Sequence, residues 1–165
     1  MCEPKILTTR HLTAVNDHLG WGGTVTSDGD VAFTHRGITV SIDNHAPDDP
    51  EYLRLRTGFS LSSVVQHSRL PASATADRAL LDRAAAETTR RAKGTKVVID
   101  RDAVLFSVEC VAAGPHLLPT VEHLVAVLPR MTSMIDHAVM AFVESLTLAG
   151  IKSANLREAG AADLG

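Results

Sequence analysis

Eight histidines are the residues of this chain that first suggest chemistry, because imidazole is the commonest side-chain metal ligand. His11 and His18 are seven residues apart, and so are His116 and His123. Two ligands on one helical turn need a spacing of three or four residues, and no cysteine or acidic pair completes either set. The spacing therefore predicts solvated or capping histidines and no metal site.

Cys110 is the second candidate, as a nucleophile. It lies in the stretch TKVVIDRDAVLFSVECV, residues 95–111, where apolar residues occupy the alternate positions Val104, Phe106 and Val108. A thiol on such a strand face is expected to be buried. Burial raises the pKa of a thiol, which is the opposite of what a reactive thiolate needs. The pattern therefore predicts a structural cysteine.

Two loops contain residues that bind ligands in other proteins. GWGG, residues 20–23, precedes a predicted strand and not a helix, so it lacks the geometry of a phosphate-binding loop. The carboxylates of APDDPE, residues 46–51, could bind a cation, but the oxygen spacing of a calcium loop is absent. We therefore expect no catalytic residue, no cofactor and no enzymatic activity.

The composition limits the class of protein. The chain has 165 residues, a hydrophobic fraction of 45% and a formal net charge of −3, which is typical of one domain with one core. Basic residues are scattered except for Arg90, Arg91 and Lys93, so we expect no binding to nucleic acid. The start lacks a secretory pattern, and no run of about 18 uncharged apolar residues occurs. These features predict a cytoplasmic protein without membrane insertion.

Hydrophobic periodicity predicts an α+β fold with the element order α-β-β-β-α-β-β-α. Helical spacing over residues 8–19 indicates a first helix, and alternation over residues 31–42 indicates two strands joined by a turn. A third strand is expected at residues 52–61, and residues 95–111 form a second hairpin. We expect an antiparallel five-stranded sheet with the helices packed on one face.

The middle helix is expected to begin at Thr75, whose side chain can cap it, and to end before Gly94. Glu87 and Arg91 are spaced for an i,i+4 ion pair on this helix. Residues 62–75 show no sustained period. They are expected to form a connection that can contain a short helical turn.

The last helix is expected within residues 119–150, with Pro129 kinking or restarting it. Residues 151–165 are small, polar and glycine-containing, which predicts a flexible tail. A single domain is therefore expected over residues 1–150.

Three of the four methionines lie close together and widen the apolar surface of the last helix. The predicted partner-binding or dimer-contact residues are Met131, Met134, Met140, Val127 and Ala138. A sheet covers one side of a helix, so the other side should contact the first helix, a second copy or a client peptide. Flexible thioethers suit a surface that repacks around different sequences. Internal packing and intermolecular contact both remain open.

Arg54 and Arg56 lie on the polar side of the third predicted strand. They are candidates for facing an extended peptide that adds a strand to an unpaired sheet edge through backbone hydrogen bonds. The alternative is a solvated face without a partner. A groove lined by helices is a second way to hold a client, and the sequence does not choose between the two.

Four stretches resemble the YbjN-domain family, whose fold is similar to that of type III secretion chaperones. They are DGDVAFTHRGITVSID, YLRLRTGF, GTKVVIDRDAVLFSVECV and LPRMTSMIDHAVMAF, within residues 8–148. The resemblance implies a small, dimerising, non-enzymatic domain that binds peptide segments of other proteins or acts as a sensory transduction regulator. It carries over no catalytic residue, and the connection at residues 62–75 is longer than expected for the family.

We therefore expect a cytoplasmic homodimer that captures a peptide segment of a partner protein. A regulatory domain that senses a small ligand is the alternative, and it would require a closed apolar cavity under the helices. A small enzyme would require clustered titratable groups, such as an exposed Cys110 beside a histidine.

Overall fold

The computed structural model describes residues 9–43, 52–111 and 120–162. Its helices are α1 (Thr9–Leu19), α2 (Leu61–His67), α3 (Arg78–Arg91) and α4 (Val121–Ala162), with a 3-10 helix at Ala72–Ala76. Its strands are β1 (Thr24–Val25), β2 (Val31–His35), β3 (Ile38–Asp43), β4 (Tyr52–Ser60), β5 (Thr95–Asp100) and β6 (Ala103–Val111). This combination of helices with an antiparallel sheet confirms the predicted α+β class.

The described strands form one sheet in the order β1-β2-β3-β4-β6-β5. The predicted number of five strands is wrong, because β1 adds a sixth that pairs antiparallel with β2. A two-residue strand is too short to show alternation in the sequence. β2 and β3 are joined by Arg36 and Gly37, which both have positive φ, and this geometry matches the twist of a two-residue hairpin.

The chain divides into two compact units, residues 1–57 with 107–135 and residues 58–106 with 136–165. Each unit contains part of β4, β6 and α4, so neither is a separate stretch of chain. The single domain expected over residues 1–150 stays a prediction.

In the first unit, α1, the sheet and the start of α4 contribute to the buried apolar core. Its wholly buried large side chains are Leu12, Ile42, Leu53, Leu55, Leu124, Leu128 and Ile135. Trp21 stacks on Phe33 with the ring centroids 4.1 Å apart. The helical spacing of α1 and the alternation of β2, β3 and β4 therefore predicted the correct buried faces.

The second unit has a continuous core to which α2, α3, β5, β6 and α4 contribute. Phe106 of β6 lies at its centre, with its ring edge-to-face against Phe59 at 5.9 Å and Phe142 at 5.7 Å. Each such aromatic pair contributes about 0.5–1.5 kcal/mol beyond the area it buries. These contacts hold the second half of α4 against β6.

The connection predicted at residues 62–75 is largely helical. α2 begins after Ser60, whose Oγ accepts a hydrogen bond from the Ser63 N–H at 3.2 Å. Its buried side chains recur at helical spacing, Leu61, Val64 and Val65. A single face of three residues is too short a signal to establish a helix from sequence.

Asp77, and not Thr75, caps α3. The Asp77 carboxylate accepts a hydrogen bond from the Leu80 N–H at 3.0 Å. The Thr75 hydroxyl donates to the Ala72 carbonyl oxygen at 2.8 Å, within the 3-10 helix. The prediction of Thr75 as the cap is therefore wrong, because the 3-10 helix already uses that hydroxyl and moves the start of α3 further along the chain.

α4 is one helix of 42 residues that continues through Pro129. The restart predicted at this proline therefore does not occur. The backbone is helical as far as Ala162, so the tail boundary predicted at residue 150 falls inside the helix. Alanine, leucine, arginine and glutamate within residues 151–162 favour helix, which explains the extension.

Val121–Ile151 is, among the described residues, the one helical segment long and apolar enough to cross a membrane, with a mean hydropathy of 1.4. Within it Leu124, Leu128, Phe142 and Leu146 are wholly buried in the protein. A core helix of a folded domain can have the same length and composition, and 39% of the most apolar window of α4 is buried in the protein.

Candidate functional site

The five apolar residues predicted on α4 do not lie together on an exposed surface. Met131 and Ala138 are buried, Val127 and Met134 are half-buried, and Met140 is 66% exposed. Nine residues separate Met131 from Met140, which places them about half a turn apart around the helix axis. Met131 and Ala138 therefore belong to the core, which corrects their prediction as contact residues. Periodicity shows which residues share a face but not where the core lies.

Three large apolar side chains form an exposed line on the second half of α4. Met140, Leu148 and Ile151 are 66%, 56% and 52% exposed. Spacings of eight and three residues keep them within an arc of about 80°, and we call them the α4 stripe. Phe142 and Leu146 on the opposite side are wholly buried. The helix thus has a second apolar side, as predicted, but with different residues.

An open groove of about 290 Å³ lies between α3 and α4, beside the α4 stripe. It is lined by Arg83, Ala84, Glu87, Arg91, Ser145, Leu148 and Ala149. Leu148 belongs to both the groove and the stripe, so the two form one surface. Ala84 of α3 and Ala149 of α4 line the groove. Their methyl groups are too small to fill the gap between the two helical backbones.

The groove has a charged rim whose pairing differs from the sequence prediction. Arg91 binds Glu144 of α4 at 3.0 Å instead of Glu87, and it also donates to Ser145 Oγ at 3.4 Å. Glu87 binds Arg90 through both carboxylate oxygens, at 2.7 and 3.0 Å. These hydrogen bonds and the charge of Glu87 raise the pKa of Arg90. The predicted Glu87–Arg91 pair is therefore wrong, because Glu144 offers Arg91 a partner on another helix.

Arg83 differs from these two arginines. Its side chain is exposed and lines the groove, but it forms no hydrogen bond or ion pair with any residue in the described parts of the chain. The groove lining thus combines Arg91, which is held by Glu144, with the Arg83 guanidinium, which forms no such pair. The surface as a whole offers an apolar floor, the exposed side chains of the α4 stripe and these two cations, together with Glu87.

β5 is a terminal strand of the sheet, and its outer edge is covered by α3. The Ile99 carbonyl oxygen accepts a hydrogen bond from Arg78 Nη2 at 2.7 Å. The Val97 N–H donates to Thr89 Oγ1 at 3.3 Å. An extended peptide needs these same backbone groups to add a strand. The side chains of α3 therefore compete with strand addition at this edge.

Arg54 and Arg56 are held by Asp43 of β3 and by Asp30, which directly precedes β2. Both guanidinium groups contact the Asp43 carboxylate, which is 4% exposed, and Arg56 Nε lies 2.7 Å from it. Arg56 also binds Asp30 at 3.0 Å. Breaking such a buried pair leaves a charge without compensation, so the cluster fixes β2, β3 and β4. These contacts favour an internal role over the predicted contact with a peptide.

Cys110 is half-buried, and its thiol donates a weak hydrogen bond to the Met131 sulfur at 3.7 Å. Burial raises the pKa of this thiol, as predicted. Within the described residues, no three histidine, cysteine, aspartate or glutamate side chains are grouped so that they could hold a metal ion. His45 and His116 and the acidic loop at residues 46–51 lie outside the described residues.

Sequence reasoning missed Leu148, Ile151 and Arg83 as site residues. A signal for the first two was present, since they follow Met140 at helical spacing. No local signal distinguished Arg83 from the other arginines of α3, because the difference depends on the partners that the fold provides.

Comparisons with known proteins support the fold only. No protein-family model matches the chain, and no curated protein matches it. Its fold is similar to the crystal structure of an uncharacterized protein from Methanothermobacter thermautotrophicus, with a TM-score of 0.54 and 15% sequence identity. The match covers 88% of this chain and 99% of that chain. At this identity the likeness indicates a shared fold and says nothing of activity.

Proposed function

We propose that this protein is a non-enzymatic binding module that captures a segment of a partner protein, in the manner implied by its resemblance to YbjN proteins and type III secretion chaperones. The observation that carries the proposal is the α4 stripe beside the α3–α4 groove. Three large apolar side chains are exposed there next to a hollow. Glu144 lies between Met140 and Leu148 on this face, so the stripe is a group of exposed apolar side chains around one charge. Grouped apolar side chains of this kind mark interaction sites more often than isolated exposed residues do.

Binding in the groove is favoured over strand addition. The β5 edge is engaged by Arg78 and Thr89, and the opposite terminal strand, β1, has two residues. A peptide that lays an apolar helical face against the stripe needs neither edge. The groove volume of about 290 Å³ lies at the lower end of small-molecule pockets, so it suits one or two side chains better than a metabolite.

The decisive experiment compares two leucines that are both exposed in the second unit. Leu148→Glu places a charge in the stripe, and Leu105→Glu places the same charge on β6, where Leu105 is 41% exposed. A photo-crosslinking residue at Met140 captures partners from cytoplasmic extract in each background. We expect the crosslinked segment to disappear with Leu148→Glu and to persist with Leu105→Glu. Identical crosslinks in both backgrounds would exclude the stripe as the binding surface.

The alternative of a small-ligand sensor predicts a different result. A metabolite that raises the melting temperature of the isolated protein in a thermal-shift screen, with the gain lost in Leu148→Glu, would favour sensing over partner capture. Thermal stability that is unchanged by metabolites is expected if the groove holds a peptide side chain.

The proposal also includes a cytoplasmic location and a homodimer. Val127 and Met134 are half-buried, so they are the members of the predicted contact set, with Met140, that a second copy can reach. We expect light scattering after gel filtration to give twice the chain mass, and Met134→Glu to reduce it. A monomer at tens of micromolar would remove the dimer from the proposal without affecting the groove.

A further inference from the structure

We propose that the partner segment is an amphipathic helix with a large apolar side chain and an acidic side chain about one turn apart. The apolar side chain fills the α3–α4 groove, and the carboxylate binds Arg83. This inference rests on the proposed function and specifies the chemistry of its partner.

The shape of the surface favours an apolar side chain in the groove. Ala84 and Ala149 are buried groove residues, and Leu148 stands exposed at the border between groove and stripe. A side chain that enters the groove contacts these apolar groups, while further residues on the same helical face contact Met140 and Ile151. A helix presents such residues at i, i+3, i+4 and i+7, which suits a stripe on a long helix.

The charges at the rim favour an acidic residue on the partner segment. The two arginines next to Arg83 in this part of the structure are already neutralised, Arg91 by Glu144 and Arg90 by Glu87. Arg83 lines the same groove and has no such partner among the described residues. A carboxylate is the protein group that a guanidinium binds best, through paired N–H donors. Glu87 lines the same groove, but both of its carboxylate oxygens bind Arg90.

The rim also favours a peptide over an anionic membrane surface. Glu87 and Glu144 lie on the same surface as Arg83 and would face the lipid phosphates. A peptide can place one carboxylate at Arg83 and keep neutral residues elsewhere, which a uniform anionic surface cannot do.

The test uses a displayed library of random peptides about three helical turns long as the probe. Selections are run on wild type, Arg83→Glu, Lys96→Glu and Leu148→Glu. Lys96→Glu is the matched control, because Lys96 is exposed on β5 outside the groove and the substitution changes the net charge equally. Arg90 is not used, because its partner Glu87 lines the groove. Circular dichroism first establishes that each variant is folded.

We expect wild type and Lys96→Glu to select leucine-like residues with an acidic residue about one turn away. Arg83→Glu should select lysine or arginine at that position. For one selected synthetic peptide, Arg83→Ala should weaken the Kd about threefold and Arg83→Glu about tenfold, because a rim ion pair is partly screened by solvent.

The other outcomes separate the two proposals. If Arg83→Glu selects the same peptides as wild type while Leu148→Glu selects none of them, the acidic inference is overturned and the proposed function stands. If Leu148→Glu also selects the same peptides, or wild type selects none, the proposed function fails together with the inference. Arg83-dependent binding to anionic lipid vesicles without peptide binding would overturn both in favour of a membrane surface.

Discussion

Replacing Arg78 with alanine and Thr89 with valine should uncover the outer edge of β5. Arg78 Nη2 donates to the Ile99 carbonyl oxygen at 2.7 Å, and Thr89 Oγ1 accepts from the Val97 N–H at 3.3 Å. The double variant removes both partners. Thr89→Val keeps the branched shape of the side chain, whereas Arg78→Ala also removes the methylene stem and the exposed ion pair with Asp82. The double variant therefore tests whether α3 is what prevents strand addition to this sheet.

The expected loss of stability follows from these two bonds. A typical hydrogen bond contributes about 1 kcal/mol, with a charged donor at the upper end and a long bond at the lower end. The Arg78 side chain is 55% exposed, so water replaces part of what it supplies. We expect the free energy of unfolding to fall by about 2 kcal/mol, and for a chain of this size the melting temperature to fall by about 4–8 °C.

Urea unfolding followed by circular dichroism measures the stability, and light scattering at the same protein concentrations measures self-association. The uncovered edge should raise the scattering, since unpaired strand groups pair with another chain. Arg83→Ala is the control, because it removes an arginine from the same helix without a bond to β5. The reasoning is refuted if the double variant unfolds within about 0.5 kcal/mol of wild type and scatters no more light.

Three further predictions concern residues outside the groove. A Cβ at residue 23 would lie 2.6 Å from the Asn16 side-chain oxygen and 2.9 Å from the Ala32 carbonyl oxygen. Gly23→Ala should therefore lower the free energy of unfolding by about 1–3 kcal/mol, and adding Asn16→Ala should restore only part of it, because the clash with the Ala32 backbone remains. Full restoration in urea unfolding would contradict that backbone clash. Burial raises the pKa of the Cys110 thiol, so alkylation of the folded protein should be slower than alkylation of the urea-unfolded chain. The free energy of unfolding should fall as pH rises through the ordinary thiol pKa, because the thiol loses its proton first in the unfolded chain. Equal alkylation rates would show that the folded protein has an accessible thiolate. A hydrogen bond from the Glu122 backbone N–H to the Glu122 carboxylate lowers the pKa of that carboxyl group. The stabilising effect of the ionised carboxylate should be present above the ordinary glutamate pKa and should disappear as pH falls through the lowered pKa. An NMR titration of Glu122 with an ordinary midpoint would contradict this.

Much of the fold could be predicted from local sequence because the signals were local. Leu12 and Val15 of α1 recur at helical spacing and are wholly buried, as their pattern predicted. The alternation of β5 and β6 likewise matches their buried positions. Elements shorter than one or two periods, such as β1 and α2, gave too few residues for a pattern to be recognised.

The candidate site was less predictable, for a physical reason. The sequence indicated that the last helix has two apolar sides, but the side that faces solvent depends on what packs against it. Met131 lies in the core and Met140 in the stripe, although both are methionines on one helix. Burial is a property of the surrounding elements and not of the helix itself.

The sequence by itself determined the α+β class, the buried faces of α1 and the main strands, and the direction in which burial moves the pKa of the Cys110 thiol, because each depends on residues a few positions apart. Only the tertiary structure decided that Arg91 pairs with Glu144, that α3 covers the edge of β5 and that Arg83 lines the groove without an ion pair to any described residue. These features join residues far apart in the chain, and an ion pair or a hydrogen bond forms only where folding has brought its two groups within about 3 Å of each other.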